Sequence, residues 1–334
     1  MAEHWDLRVR GQPLNPSVAR RVTDVRITTT LDATSDACEV TIAGDVPEIA
    51  VPDMGTLVRA SLRNAAGDLV TMGDYALAET EIELAPKRLR IRCTAVDYTA
   101  PLKDPRTAAW DDTTLGEIVT GIAARYDGYM GAVDPALARH VIDHVDQTDE
   151  SDLHFLTRLA RVYDATAQIV AVRVGAGGHL IAVAPSAASA SIRSGSDIPT
   201  VTITPTDLVL YGSVKRTART DYGSVRASYQ DIDAGVTVGV DVGEGEPKYR
   251  LRSSYATHAE AQAAAEAAHN RLRRETATLR LEKPGNPVLV AGNRVELQGW
   301  GEQIDTVFQI TRGTHMVGSQ GYTTAIEGDS VPLA

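Results

Sequence analysis

Hydrophobic side chains along this chain change their spacing twice, and the changes divide the sequence into three parts. In the first part apolar and polar residues alternate, which is typical of strands with one buried face. The alternating segments are residues 5–10, 25–31, 38–42, 57–62 and 89–96. Turns are predicted at Ala65–Asp68, Met72–Asp74, Pro47 and Pro52, because glycine, aspartate and proline favour chain reversal. Residues 1–102 are therefore expected to form an antiparallel β domain.

The middle part has helical spacing. Apolar residues recur every three or four positions from Leu115 to Tyr126, and Thr114 with Glu117 predicts a capping box at the helix start. A second helix follows near residue 153, after a strand-favouring segment at 141–145. Two further strands are predicted at 168–174 and 179–184, joined by a glycine-rich hairpin turn at 175–178, and 185–195 is interpreted as a linker. Residues 103–195 are thus expected to be an α+β insertion domain.

The third part returns to strand spacing. Predicted strands occupy residues 201–203, 208–215, 225–229, 277–281, 294–297, 307–310 and 322–326. One alanine-rich helix interrupts them, from Thr257, whose capping partner is Glu260, to Arg274. Residues 196–334 are therefore expected to form a second β domain with one helix, and this domain is interpreted as a structural relative of the first. The fold class is α+β.

The stretch Gln147–Ala160 is the most distinctive in the chain. Thr148 or Asp149 is predicted to cap a helix whose first turn carries Glu150 and Asp152. One face of that helix holds apolar residues, namely Leu153, Leu156, Leu159, Ala160 and Tyr163. The order Gln-x-x-Glu-Ser-Asp-x-x-Phe-Leu-x-x-Leu-Ala resembles the signature of bacteriophage late control gene D proteins, the baseplate hub proteins of contractile tails. It is also similar to the hub-like part of type VI spike proteins.

The resemblance extends over nearly the whole chain. Other segments similar to the family are residues 36–42, 52–55, 72–75, 110–124, 267–272, 285–295, 309–315 and 322–324. Asp164 departs from the pattern, since the family often has glycine where the helix ends, but aspartate tolerates the left-handed conformation needed there. Only residues 328–334 follow the second β domain, so the spike is expected to be a separate polypeptide.

What the resemblance implies is a structural hub. Two tail-tube-like antiparallel β-barrel domains would flank the α+β insertion, and a homotrimer would present six similar barrels that join the sixfold tail tube to the threefold central spike. Expected partners are the tail tube protein, the spike protein, other baseplate proteins and the tape measure protein. The protein would be made in the bacterial cytoplasm and reside in the tail of a phage, a tail-like bacteriocin or another injection particle, contractile or non-contractile.

Charge and hydropathy restrict the partners further. The chain has 33 basic and 44 acidic residues, a net charge of −11, which disfavours stable binding to nucleic acid. Under the hub interpretation, an acidic inner wall would let DNA pass without binding it. No apolar run suggests a signal peptide or a membrane span. Cys38 and Cys93 are interpreted as buried thiols.

Residues that could carry chemistry are few. Glu79, Glu81 and Glu83 alternate along one strand and are interpreted as a solvated face rather than a glycosidase acid pair. His140 and His144 are four residues apart, but their β-branched neighbours favour a strand over a metal-binding helix. The glycine-rich turn is not followed by a helix that could bind phosphate, and 194–196 lacks the frame of a nucleophile elbow. No residue is therefore predicted to be catalytic, cofactor-binding or metal-binding.

Two alternatives remain open beside the structural hub. The first is a tail-associated peptidoglycan hydrolase, and the second is a module at the tail tip that binds glycans or receptors.

Overall fold

The computed structural model describes residues 4–31, 36–44, 51–95, 104–172, 178–185, 198–216, 222–231, 234–274 and 277–331. Most of these residues lie in strands, and the pairing is mainly antiparallel. The strands are β1 (Trp5–Val9), β2 (Gln12–Pro13), β3 (Val22–Thr30), β4 (Ala37–Ala43), β5 (Leu57–Arg63), β6 (Leu69–Leu84), β7 (Lys87–Thr94), β8 (Pro105–Thr114), β9 (Tyr129–Val133), β10 (Val141–Ser151), β11 (Ala165–Val172), β12 (Gly178–Pro185), β13 (Thr200–Ile203), β14 (Tyr211–Arg216), β15 (Ser224–Asp231), β16 (Val236–Gly243), β17 (Lys248–Tyr255), β18 (Ala277–Pro284), β19 (Arg294–Leu297), β20 (Val307–Gly318) and β21 (Gly321–Ser330). The helices are α1 (Pro16–Ala19), α2 (Leu115–Ala123), α3 (Pro135–Ala138), α4 (Asp152–Val162) and α5 (His258–Arg274).

The largest sheet has 13 strands and contains strands from both ends of the sequence. Its order is β14-β18-β21-β20-β3-β4-β7-β6-β5-β1-β2, with β19 beside β20 and β13 beside β19. The two halves meet where β3 pairs antiparallel with β20, from Thr30 opposite Arg312 to Val25 opposite Val317. The first and third parts of the chain therefore share one hydrogen-bonded sheet.

The same strand order occurs twice in this sheet. Repeat 1 contains β1, β3, β4, β5, β6 and β7 in the spatial order β3-β4-β7-β6-β5-β1, and repeat 2 contains β13, β14, β18, β19, β20 and β21 in the order β14-β18-β21-β20-β19-β13. The strands correspond one by one in chain order as well as in space. The outermost pairs differ, because β1 is antiparallel to β5 whereas β13 is parallel to β19.

A bulge marks the equivalent place in both repeats. The β6–β7 ladder shifts its register between Leu77 and Glu79, and the β20–β21 ladder shifts between Ile310 and Arg312. Because a bulge bends its strand, the two repeats share a local curvature as well as a strand order. These paired bulges give a common reference point for comparing residues of the two repeats.

Each repeat has its own apolar core. Repeat 1 buries Ile27, Leu62 and Tyr75, and repeat 2 buries Phe308 and Leu279. Burial of each such side chain contributes about 1.5–3 kcal/mol relative to exposure. Val317 of β20 belongs to the core of repeat 1, so the two cores meet across the β3–β20 pair.

The middle part folds around helices α2 and α4. Ile118 and Ile122 of α2, Phe155 and Leu156 of α4, and Ile181 of β12 lie in one buried cluster, and the capping box of Thr114 with Glu117 is present as predicted. Strands β8 and β9 were not predicted. β8 pairs with β10 in a two-stranded ribbon and buries none of its residues, so no alternation of apolar side chains marks it in the sequence.

The start of α4 differs from the prediction. Ser151 is the N-cap, and its hydroxyl accepts a hydrogen bond from the backbone N–H of His154 at 3.3 Å. Thr148 and Asp149 do not cap the helix, because the chain up to Ser151 continues as β10 and pairs with β8. The helix end is as predicted, since Asp164 has the left-handed value φ = 52°.

Two other sequence predictions need correction. Met72–Asp74 is not a turn; it lies inside β6, where the β5–β6 ladder is irregular between Ala60 and Ser61. Glycine within a strand marked a bulge here rather than a reversal. Strands β16 and β17 were missed, and with β15 and α5 they form a small layered unit inserted between β14 and β18.

β11 and β12 pair antiparallel as a hairpin, but turn residues 173–177 and linker residues 186–195 lie outside the described residues.

Candidate functional site

The contact between the two repeats is closely packed. The Thr29 hydroxyl of β3 donates to the Gly313 carbonyl of β20 at 3.5 Å and accepts from the Ala291 N–H at 2.9 Å. A Cβ at position 313 would lie 2.7 Å from the Leu289 carbonyl oxygen, so glycine is required there. This junction holds the repeats in one fixed relation.

His315 lies at the centre of this junction and is almost fully buried. Its Nδ1 is 2.9 Å from the Tyr322 hydroxyl and 3.1 Å from the Thr324 hydroxyl. Burial lowers the pKa of His315 to about 4, against a smaller opposing contribution from the Leu289 backbone. The imidazole is therefore neutral at neutral pH, and its role is packing and hydrogen bonding within the sheet.

A charged groove of about 530 Å³ crosses the outer face of the sheet at this junction. It extends from Met316 of β20 across β3, β4, β7 and β6. Its lining includes four arginines and four acidic residues, which are Arg26, Arg88, Arg90, Arg92, Asp24, Glu39, Glu79 and Glu81. One row across the strands alternates in sign, as Arg26 faces Glu39, Glu39 faces Arg92, and Arg92 faces Glu79. Cross-strand pairs of opposite charge stabilise such a face modestly.

The three alternating glutamates lie on this face, as predicted. Glu79 and Glu81 are exposed and Glu83 is partly exposed. Arg90 lies 3.6 Å from Glu81 and 2.7 Å from Glu83. A glycosidase acid needs an environment that keeps one carboxyl protonated, whereas these carboxylates face arginines in solvent. The geometry suits a solvated ionic surface.

The signature stretch contains a buried acid, Asp152. Its carboxylate accepts hydrogen bonds from Tyr126 Oη at 2.6 Å, Gln147 Nε2 at 2.7 Å and Arg125 Nη1 at 2.9 Å, and its side chain is fully buried. Arg106 Nε of β8 lies 3.9 Å away. Asp152 therefore connects the start of α4 to the end of α2 and to the β8–β10 ribbon.

The electrostatics of this cluster keep Asp152 ionised. Burial alone raises the pKa of Asp152, but the hydrogen bonds from Tyr126, Gln147 and Arg125 together bring the pKa below its usual value. Burial and the bond to Asp152 raise the pKa of Tyr126 to about 12, so the phenol remains a donor. With four side chains directed at it, the carboxylate is an anchor between secondary-structure elements.

Sequence reasoning placed Asp152 in the first turn of the helix but missed its partners. Arg125 and Tyr126 precede it by 27 and 26 residues, at the end of another helix. The available signal was chemical: an aspartate on the buried side of a helix start requires a cation or several donors. Nothing in the local sequence indicates which cation supplies them.

The two histidines considered as metal ligands are not brought together. His140 stacks on Tyr163, with ring centroids 4.7 Å apart. His144 lies on the exposed ribbon with Nδ1 2.5 Å from Asp111 and Nε2 3.3 Å from Asp146, and these two carboxylates raise the pKa of His144. Within the described ranges, no group of three or more histidine, cysteine, aspartate or glutamate residues is arranged to hold a metal ion.

The cysteines are buried thiols, as predicted. Cys38 of β4 and Cys93 of β7 are direct cross-strand neighbours in the core of repeat 1, and both are free. Burial raises the pKa of Cys93 to about 12 and raises that of Cys38 strongly. The reactive thiolate is therefore scarce in the folded protein. Residues 194–196, considered for a nucleophile elbow, lie outside the described residues.

Comparison with known proteins identifies the fold and its family. Residues 81–321 match the family model described as phage tail baseplate hub (GPD), which is well over half of the chain. The chain belongs to the phage tail baseplate hub family. The signature stretch Gln147–Ala160 lies within the matched residues, so the resemblance drawn from it is confirmed. The chain is accordingly a baseplate hub protein of a phage tail or a related contractile injection system.

Two hub relatives come from Escherichia phages. The probable baseplate hub protein of phage P2 is 25% identical over 96% of this chain and 91% of its own length. The corresponding protein of phage 186 is 29% identical over 62% of this chain, and the match spans about half (51%) of that relative's length. The hub family thus supports a location in the virion baseplate.

Solved structures share the hub fold at low sequence identity. A tail protein from Neisseria meningitidis MC58 has a TM-score of 0.69 at 15% identity and covers 98% of this chain and 96% of its own. The 43 kDa tail protein of prophage MuSo2 from Shewanella oneidensis also has a TM-score of 0.69 at 15% identity, covering 97% of each chain. A component of the E. coli type VI secretion system has a TM-score of 0.59 at 16% identity, covering 98% of this chain and 77% of its own.

None of the helices in the described parts of the hub is both long and apolar enough to span a bilayer.

Proposed function

We propose that this hub protein forms a ring of three copies that joins the sixfold tail tube to the threefold central spike. The observation that carries the proposal is the repeated strand order within one sheet. Three chains with two similar units each present six similar units in a ring, which matches a sixfold tube on one side while retaining threefold symmetry on the other. Binding of one copy to the next through unlike surfaces gives a ring when the rotation between copies closes, and an open filament when it does not.

The domain roles follow from this arrangement. Residues 1–102 and 196–334 would form two tube-like β-barrel domains, and residues 103–195 would form the α+β insertion between them. The Asp152 cluster supports a purely structural insertion, because its carboxylate is enclosed by Arg125 and Tyr126, which follow α2, by Gln147 of β10 and by Arg106 of β8. The partners would be the tail tube protein, a separate spike protein, other baseplate proteins and the tape measure protein.

The hub would act without catalysis. Support comes from the carboxylates of the sheet face, which are exposed and paired with arginines rather than held in an apolar pocket. No residue is assigned a catalytic, cofactor-binding or metal-binding role. With a net charge of −11, the ring would let DNA pass without retaining it.

The decisive experiment measures the mass of the purified full-length chain and images the particles. A species of three chains with a central opening supports the proposal, and a stable dimer with an enclosed cleft contradicts it. A zymogram on cell-wall material, with lysozyme as the positive control, tests the enzymatic alternative. Clearing by the purified chain would replace the structural role with that of a peptidoglycan hydrolase.

A further inference from the structure

The large sheet leaves several strand edges without a partner within the described residues, and two of them are the distal part of β6 and β14. β5 pairs with β6 only as far as Ala76, so the distal part of β6, Glu79–Leu84, has β7 on one side and no ladder on the other. β11 approaches β6 but forms no ladder with it. β14 pairs with β18 alone. Open edges present backbone donors and acceptors that favour pairing with another strand.

These two edges are the counterparts of strands that pair with each other inside the chain. In the repeat correspondence β6 matches β20 and β14 matches β3. Within one chain, β20 of repeat 2 pairs with β3 of repeat 1. The matching pair would be β6 of repeat 1 with β14 of repeat 2. The described residues form no ladder between these two strands.

The ladders fix which residues correspond. In repeat 1 one row across the strands reads Ile27, Cys38, Cys93 and Leu77. In repeat 2 the row that ends at the equivalent bulge reads Val214, Leu279, Gly328 and Ile310. Val214 therefore corresponds to Ile27.

Counting residues from the equivalent bulges aligns the distal part of β6 with β20. Glu81 corresponds to Thr314, Ile82 to His315 and Leu84 to Val317. The last two counterparts, His315 and Val317, are each 1% exposed at the junction between the repeats.

The exposed side chains agree with this correspondence. Ile82 is 48% exposed and Leu84 is 81% exposed, although their counterparts in repeat 2 are buried by β3. Leu208, Leu210 and Tyr211 are exposed at the start of β14. Apolar side chains on both open edges would leave water if the edges paired, and this burial favours association.

We propose that the distal part of β6 in one copy pairs antiparallel with β14 of the next copy, repeating the β20–β3 pairing between chains. The register follows from the junction inside the chain, where His315 faces Ile27, Thr314 faces Thr28 and Val317 faces Val25. It places Ile82 opposite Val214, Glu81 opposite Lys215 and Leu84 opposite Gly212. The inference rests on the proposed ring and names the surface that closes it.

The side chains brought together by this register are complementary. Ile82 and Val214 are both apolar and point to the core side, as their counterparts His315 and Ile27 do. Glu81 and Lys215 form a pair of opposite charge on the other face, where directly opposed charges of one sign would be unfavourable. The contact joins unlike surfaces, so successive copies continue in one direction, and the assembly closes as a ring when the rotation between three copies completes a full turn.

A disulfide test can detect this pairing between chains. In the β3–β20 ladder the Leu31 N–H donates to the carbonyl of Thr311, so these two opposite residues form a hydrogen-bonded pair. Hydrogen-bonded and non-hydrogen-bonded pairs alternate along an antiparallel ladder. The pair of Thr28 and Thr314 lies three residues further along each strand and is therefore a non-hydrogen-bonded pair. Positions 81 and 215 would likewise lie at a non-hydrogen-bonded pair, where the Cβ atoms are closest. Two full-length variants are made, Glu81→Cys and Lys215→Cys, one of them carrying a size tag. Air oxidation in the presence of copper phenanthroline removes two hydrogens from the two thiols and reduces oxygen.

The expected result is a disulfide-linked heterodimer in the mixture and little or no linked homodimer with either variant alone. Thr80→Cys mixed with Lys215→Cys is the matched control, because residue 80 points to the opposite face and should cross-link at least tenfold more slowly. The native thiols Cys38 and Cys93 remain buried. Equal linking by Glu81→Cys alone would indicate a twofold contact and would overturn the proposal.

Mass measurement of the same samples distinguishes a failure of the β6–β14 pairing from a failure of the proposed ring. A trimer without the 81–215 link refutes the β6–β14 pairing and leaves the ring intact. Monomers at the highest soluble concentration, again without the link, contradict both the pairing and the ring.

Discussion

Replacement of Asp152 by asparagine tests whether the signature stretch is an anchor. The substitution keeps the size of the side chain but removes its charge and turns one oxygen into a donor. In place of Oδ1 the donor would face Gln147 Nε2, which bonds that oxygen at 2.7 Å. In place of Oδ2 it would face Tyr126 Oη, which bonds that oxygen at 2.6 Å. Arg125 Nη1 bonds both oxygens, at 2.9 and 3.1 Å, so a donor would meet Arg125 in either orientation. Breaking a buried ion pair costs about 3–5 kcal/mol. The Arg125 side chain is 28% exposed and can be rehydrated, so we expect the lower end of the range, about 3 kcal/mol.

The matched control is Glu150→Gln, two residues earlier in the same signature. Glu150 forms an ion pair with Arg158 whose side chains are 20% and 50% exposed, respectively. Pairs exposed to this degree contribute about 0.5 kcal/mol. The two acid-to-amide changes should therefore differ about sixfold in energy although they lie in the same motif.

Amide hydrogen exchange followed by mass spectrometry measures the effect locally. Peptides that cover α4 should exchange roughly a hundredfold faster in Asp152→Asn, because each 1.4 kcal/mol of lost stability is a factor of ten. Peptides from β18 should be unchanged in either variant. Similar exchange of α4 in the two variants would refute the anchoring role and leave the signature unexplained.

The pH dependence of the same peptides gives an independent check. The pKa of Asp152 is lowered in the folded protein, so its ionised form contributes stability above the unfolded pKa, and that contribution is lost as the pH falls. Protection of α4 should therefore decline on acidification in the native protein. It should decline less in Asp152→Asn, which has no carboxyl at this position to protonate.

Three further predictions concern the large sheet. The pKa of His315 is lowered to about 4, so the stability that its neutral form contributes is complete above an unfolded pKa of about 6.5 and is lost as the pH falls through 4, by about 3 kcal/mol in total. Urea unfolding at a series of pH values and an NMR titration of the imidazole should both show this loss. An imidazole that titrates near 6.5 would contradict it. Cys38 and Cys93 should resist Ellman's reagent in the native protein and react only on unfolding, so prompt labelling at neutral pH without denaturant would exclude their burial. Gly313→Ala should lower the unfolding free energy by about 1–3 kcal/mol in thermal denaturation, because its Cβ would lie 2.7 Å from a backbone oxygen, whereas Gly212→Ala meets only an ordinary contact of 3.5 Å and should be nearly neutral in the monomer.

Local sequence patterns determined most of the individual elements. The capped helix at Thr114 and the left-handed helix end at Asp164 were predicted correctly, because capping and left-handed residues act within a single turn of chain. Strands β1, β3, β4, β5 and β7 were found because buried residues alternate with more exposed ones along them. The exposed ribbon strand β8 was missed for the same reason, since it has no buried face to produce alternation.

Long-range pairing determined the rest. The composition of Met72–Asp74 predicts a turn, yet the segment continues β6 because β5 pairs with it around a bulge, from Arg59 opposite Asp74 to Leu62 opposite Val70. Likewise, Ser151 rather than Thr148 caps α4 because pairing with β8 extends β10 up to that residue. In both places pairing with another strand outweighed the local preference.

By itself, the sequence determined the family, through Gln147–Ala160, and the division into β, α+β and β parts. Only the tertiary structure decided that the outer parts share one sheet, that their strand orders repeat, and that Asp152 is enclosed by Arg125, Tyr126 and Gln147. The physical reason is separation along the chain. Propensity and periodicity act within a few residues, whereas strand neighbours and the partners of a buried charge are selected by packing between segments far apart in sequence.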